Sequence, residues 1–130
     1  MDNNVKIFLS VIALLFLGVV ATVLVRSGDA EPTGPGKYDE FATCLKDKGA
    51  VFYGAFWCPH CQAQKKMFGS SAKLLPYQEC STANGQGQLQ ICIDKKISSY
   101  PTWEFADGSR LNGEIPLAEL AEKTSCVLPQ

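Results

Sequence analysis

The sequence predicts an α/β domain, a central mixed sheet flanked by helices, carried behind one N-terminal membrane helix. Three observations predict it: an uncharged apolar run from Ile7 to Val25, elements that alternate as β-α-β-α-β-β-α after an initial helix, and Cys58-Pro59-His60-Cys61 placed where a strand gives way to a helix.

From Ile7 to Val25 every position except Ser10, Gly18 and Thr22 is aliphatic, aromatic or alanine. Nineteen helical residues reach roughly 28 Å, close to the ~30 Å hydrocarbon thickness of a bilayer. Residues 1–6 form a short tail before it. The run exceeds a signal peptide's usual apolar length, Arg26 follows directly, and no clear A-x-A site comes just after, which favours an uncleaved anchor over cleavage near Ala30. Residues 26–37, with three glycines, two prolines and no apolar periodicity, read as a flexible linker to a domain over residues 38–130.

Within that domain Phe41, Cys44 and Leu45 share one helical face and Gly49 suits the position after the helix end. Ala50 to Trp57 is a continuous apolar and aromatic run, the pattern of a central strand covered on both faces. Pro59 opens the next helix, which carries Cys61, Lys65 and Phe68 on one face and stops at Gly69. Leu74 to Cys80 reads as a strand that Pro76 pushes toward an edge, and Leu89 to Ile97 as a short helix. Thr102 to Ala106 and Ser109 to Asn112 form a hairpin around Asp107-Gly108. Pro116 then opens a helix whose Leu117, Leu120, Ala121 and Thr124 follow helical spacing.

A formal net charge of −1 gives no basic patch for nucleic acid. Six cysteines in so small a domain point to disulfide chemistry outside the reducing cytosol, hence an N-in, C-out topology with the domain on the extracytoplasmic side. A thiolate at a helix N-terminus meets unpaired N–H groups and the positive end of the helix dipole. Cys58, first in the helix, is therefore expected to be the exposed, attacking sulfur, and Cys61, one turn on, the resolving one. His60, when protonated, adds positive charge beside Cys58. Zinc needs two further ligands, and neither a second C-x-x-C nor an H-x₃₋₅-H is present, so no metal site is expected. The aromatic set Phe52, Tyr53, Phe56, Trp57 and Trp103 reads as core, with Trp57 shielding the dithiol, and a peptide groove beside Tyr100 and Trp103 is the sharper alternative.

The stretch Tyr53-Gly54-Ala55-Phe56-Trp57-Cys58-Pro59-His60-Cys61, with Gln64-Lys65, Met67-Phe68-Gly69, Pro76-Tyr77-Gln78-Glu79-Cys80 and Tyr100-Pro101-Thr102-Trp103, resembles the thioredoxin-like domain attached to bacterial and plant homologues of vitamin K epoxide reductase. The likeness covers residues 38–126. It implies a thioredoxin-like fold, with Pro101 as a cis-proline facing Cys58 and helping to bind cysteine-containing protein substrates. It further implies electron transfer from substrate thiols to a quinone-reducing membrane partner, which one membrane segment cannot supply and which must be a separate chain. The redox-active Cys58–Cys61 disulfide is then the only cofactor. Many thioredoxin-fold enzymes carry a buried carboxylate in the strand before the motif. Val51 to Trp57 has none, and Glu104 is the candidate proton acceptor for Cys61.

The same family has cysteines at places equivalent to Cys80 and Cys92, whose disulfide would tie down a mostly polar loop. Cys44 and Cys126 are left over, either as a second bridge clamping the domain's ends or as ordinary buried small hydrophobes. The competing functions are a disulfide-forming oxidase, a reductase or isomerase using the same dithiol, and a metal-binding module built on Cys58, His60 and Cys61.

Overall fold

The computed structural model describes residues 2–26 and 34–130. The expected linker, residues 26–37, lies for residues 27–33 outside the described residues. The chain divides into two compact units, Met1–Thr33 and Gly34–Gln130.

The first unit is one helix, α1 (Asn3–Arg26), whose Asn3–Ala21 portion has a mean hydropathy of 2.3 and is long and apolar enough to cross a membrane. A signal sequence near the N-terminus can also be long and apolar enough to meet this description. The helix starts four residues before the expected Ile7, because the Val5 and Lys6 amides both donate to the Asp2 carbonyl and extend the turn into polar residues.

The second unit runs α2 (Asp39–Asp47), β1 (Val51–Gly54), α3 (Pro59–Met67), a 3-10 segment (Gly69–Leu74), β2 (Tyr77–Glu79), α4 (Gln90–Asp94), β3 (Thr102–Glu104), β4 (Arg110–Asn112) and α5 (Leu117–Thr124). The sheet order is β2-β1-β3-β4, with β1 parallel to β2 and antiparallel to β3, and β3 antiparallel to β4. This mixed sheet with its crossover helices is a thioredoxin-like fold. Gly49 takes φ +76° after α2 and Gly69 φ +56° after α3, so both helices end on the glycines that sequence points to.

β1 is apolar throughout because both its faces are covered. Phe52 stacks on Trp103 with ring centroids 4.9 Å apart, on the face that also buries Phe41, Leu45, Phe68 and Leu120. Tyr53 points the other way, into a smaller cluster with Cys80, Cys92 and Ile97. The strand ends at Gly54 rather than Trp57. Beyond it the chain turns outward, leaving Phe56 and Trp57 each 50% exposed, so these two are not core. β2 likewise starts at Tyr77, since the unpredicted 3-10 segment occupies the residues before it; there Ser71 is buried and its hydroxyl accepts from the Tyr38 amide.

Two disulfides staple this small core. One joins Cys44 on α2 to Cys126 just past α5, with Cα atoms 5.9 Å apart and a sequence separation of 82. Ser125 turns through φ +57° to bring Cys126 there, while the Cys126 amide bonds back to the Ala121 carbonyl. The other joins Cys80 to Cys92, Cα atoms 5.6 Å apart, over a separation of 12. Loop closure makes the longer bridge worth more. Replacing Cys44 and Cys126 by alanine should lower unfolding stability by about 1.5 kcal/mol more than replacing Cys80 and Cys92, as read from urea midpoints on the full chain. Equal losses would contradict it.

Candidate active site

Cys58 is the N-cap of α3, with an extended backbone, and its Sγ accepts the Cys61 amide at 3.4 Å. Pro59 occupies the first helical turn, where its missing N–H costs nothing. The peptide joining Tyr100 to Pro101 is cis, and the Tyr100 carbonyl lies 3.7 Å from Cys58 Sγ as an acceptor. Pro101 is fully buried, and its own carbonyl accepts the Gly113 amide at 2.9 Å. Gln64, buried on α3, brackets Ile115 by accepting its N–H at 2.6 Å and donating to its C=O at 3.0 Å. These bonds lock the start of α3, the cis peptide and the segment before α5 into one frame.

Within this frame both sulfurs are free and buried: Cys58 is 4% exposed and Cys61 1%. The expectation of an exposed Cys58 is therefore corrected. The residue sits beside the loop that ends in Pro101, and Tyr100 flanks it on that side. Trp57 stands next to Tyr100. Its indole N–H donates to Ser81 Oγ at 2.8 Å, its ring meets Tyr100 edge-on at 6.1 Å, and its outer half stays in solvent. Trp103 is fully buried against Phe52, so it cannot line a peptide groove; Tyr100, half-buried and held by Gln88 through its hydroxyl, can.

His60 turns away from the sulfurs to Glu114, Nδ1 to Oε1 at 2.7 Å, with its side chain 68% exposed. The His60–Glu114 contact lies at the exposed rim rather than at the thiol, and among the described residues no group of three His, Cys, Asp or Glu side chains is placed to hold a metal ion. The geometry weakens the reading of Cys58, His60 and Cys61 as a metal-binding group.

Glu104 is not near the dithiol either. It pairs with Val51, at the opposite end of β1 from the motif, and its carboxylate is held by Lys95 at 2.9 Å and by Arg110. Lys65 acts on Cys61 through its charge, Tyr77 borders the space beside Cys61 at Gly54, and Glu79 accepts the Tyr77 hydroxyl. Sequence reading passed over Tyr77 and Glu79 because a three-residue edge strand announces no chemistry. The signal that could have found them is the pairing of β1 with β2, which sets Glu79 opposite Gly54.

Burial drives the Cys61 thiol up to about 12, and a hydrogen bond to Cys58 adds to it, while the Ala55 amide and the Lys65 ammonium pull the other way. Cys61 is thereby held as a thiol at neutral pH, and Cys58, the N-cap of α3, is the candidate attacking sulfur.

The fold and this site define a class: a thioredoxin-like domain whose dithiol opens a helix against a cis X-Pro peptide. No protein-family model matches the chain. Among curated proteins it is similar to the thiol-disulfide oxidoreductase LTO1 of Arabidopsis thaliana, with 49% identity over 90 residues that make up 66% of this chain and 24% of that protein. The chain thus corresponds to about a quarter of the length of this relative.

Two outcomes follow from the packing. In Cys58→Ala the hydrogen bond and charge of Cys58 are removed while burial stays, so the Cys61 titration should move below about 12 yet remain above the ordinary thiol value; thiolate absorbance against pH measures it. A Cβ on Gly54 would lie 2.8 Å from the Tyr77 ring and 3.0 Å from Cys61 Sγ, so Gly54→Ala should destabilise by about 1–3 kcal/mol in urea unfolding, despite alanine's lower chain entropy.

Proposed function

We propose that the chain is a thiol–disulfide oxidoreductase that forms disulfides in extracytoplasmic proteins, anchored by α1 and delivering electrons to a separate quinone-reducing membrane protein. The observation that carries it is the asymmetry of the two sulfurs. Cys58 caps α3 beside a backbone acceptor that can align an extended substrate, whereas Cys61 is held as a thiol behind it. The name of the similar plant protein supports the reaction class. The quinone-reducing partner rests on the family resemblance alone.

In the forward reaction a substrate thiolate attacks the Cys58 sulfur of the Cys58–Cys61 disulfide. The S–S bond breaks, Cys61 leaves as thiolate and takes a proton, and a mixed disulfide joins Cys58 to the substrate. A second substrate thiolate then attacks the first substrate sulfur, and Cys58 leaves. The substrate loses two electrons and the dithiol gains them; a partner must take them to restore the disulfide. Disulfide reduction or isomerisation would use the same steps with the flow reversed or closed on itself, and potential and partner decide between them.

The test is oxidation of a reduced, cysteine-containing protein by the full chain in detergent. The wild type should transfer one disulfide per chain, and Cys58→Ser should lose the activity by at least about a hundredfold. Cys61→Ala should instead accumulate mixed disulfides on Cys58, and their partners in the native membrane, identified by mass spectrometry, should include a quinone reductase. Recovery of only reductant-supplying membrane proteins would reverse the assigned direction, and equal activity in Cys58→Ser would remove the function.

A further inference from the structure

A thiol as buried and as weakly acidic as Cys61 cannot attack a mixed disulfide until its proton has somewhere to go. The proton cannot leave through Cys58, whose sulfur is then bonded to the substrate. Nor does β1 offer a carboxylate, since the face toward Cys61 presents Phe52, stacked on Trp103, and then Gly54.

The missing side chain of Gly54 leaves a space that two groups border. Cys61 Sγ lies 3.0 Å and the Tyr77 hydroxyl 3.3 Å from the single point that a Cβ there would occupy. The Tyr77 hydroxyl donates to Glu79 Oε2 at 2.8 Å. Glu79 is half-buried and also accepts, on Oε1, the amides of Ser81 at 2.8 Å and Phe56 at 3.3 Å. From α3 the Lys65 ammonium sits 3.4 Å from the centre of the Tyr77 ring. Cys58, Cys61 and Lys65 on the side of α3, with Tyr77 and Glu79 on β2, are the titratable groups that face this space. Tyr77 is itself held well above its usual range by burial, then by Glu79 and the two sulfurs, so it passes protons on as a neutral hydroxyl rather than ionising.

We propose that Tyr77 and Glu79 form the proton relay of Cys61. This rests on the oxidoreductase reading above. As Cys61 sulfur bonds to Cys58 sulfur and the substrate departs as thiolate, the Cys61 proton moves to the Tyr77 oxygen and the Tyr77 proton moves to the Glu79 carboxylate. That carboxylate is half-buried, and its remaining exposure lets it yield the proton to water. In substrate oxidation the path runs backwards and protonates the Cys61 thiolate as it leaves. Tyr77 borders the space beside Cys61 Sγ, and Glu79 acts through Tyr77.

The two sulfurs can be timed separately. Full-length reduced chain in detergent, mixed with 5,5′-dithiobis(2-nitrobenzoate), should release one coloured thiolate as Cys58 attacks and a second as Cys61 resolves. The rate of the second release relative to the first is followed from pH 5 to 10. Tyr77→Phe keeps the ring beneath Lys65 but lacks the hydroxyl. Glu79→Gln keeps an oxygen for the Ser81 and Phe56 amides but lacks the base. At pH 7 both should lower the ratio by at least about tenfold, and in both the second step should rise about tenfold per pH unit where the wild type is nearly flat. A ratio and slope unchanged in either variant overturns the relay. Failure of the first release, or its persistence in Cys58→Ser, overturns the oxidoreductase reading and the relay with it.

Discussion

The contact on which the molecule depends is the seating of Cys61 against the bare backbone of Gly54. A helix can approach a strand that closely only where the strand offers no Cβ, and that approach fixes the start of α3 relative to the sheet. Because Cys61 is pinned, Cys58 one turn earlier is pinned as well, and its sulfur meets the Cys61 amide and the Tyr100 carbonyl together. The same closeness strips water from Cys61 and makes it a poor acid. Geometry and acidity at this site have one cause.

So precise a seating needs a rigid sheet, and this sheet is small: four strands of three or four residues. Its rigidity is borrowed from the covalent bonds at its margins. The Cys44–Cys126 bridge ties the first helix of the domain to the last, and Cys80–Cys92 anchors the polar loop that follows β2, the strand supplying Tyr77 and Glu79. That loop returns to the site, since Ser81 receives the Trp57 indole and its amide rests on Glu79. A bridge distant from the dithiol in sequence thus holds one wall of it.

Much of the fold was legible because each element carried its own mark. Gly49 and Gly69 stop helices by taking positive φ, and the apolar run of β1 announced a strand covered on both faces. The marks failed where composition and position disagree. Phe56 and Trp57 continue the apolar run but lie past Gly54, on a turn facing solvent, and hydrophobicity alone cannot say where a strand stops. The site was legible as a dithiol at a strand-to-helix junction and illegible beyond it, because everything else near the sulfurs is brought there by strand pairing. Glu104 looked close to Pro101 in sequence, yet β3 runs antiparallel to β1 and carries it to the far end, where Lys95 and Arg110 claim it.

The placement of Glu79 follows from what burial costs. A charge in the middle of β1 would sit in the dry stack of Phe52 on Trp103, and an uncompensated charge there would cost several kcal/mol. On the edge strand β2 the same charge keeps partial contact with water, collects two backbone amides and a phenol, and has an ammonium across the phenol ring. The penalty falls because these groups stand in for water around the carboxylate. The exposure that makes the carboxylate affordable there also lets it exchange protons with solvent, while the tyrosine spans the interval to a sulfur that water does not reach. Dividing the two tasks between Tyr77 and Glu79 lets Cys61 remain dry and still be connected to bulk pH.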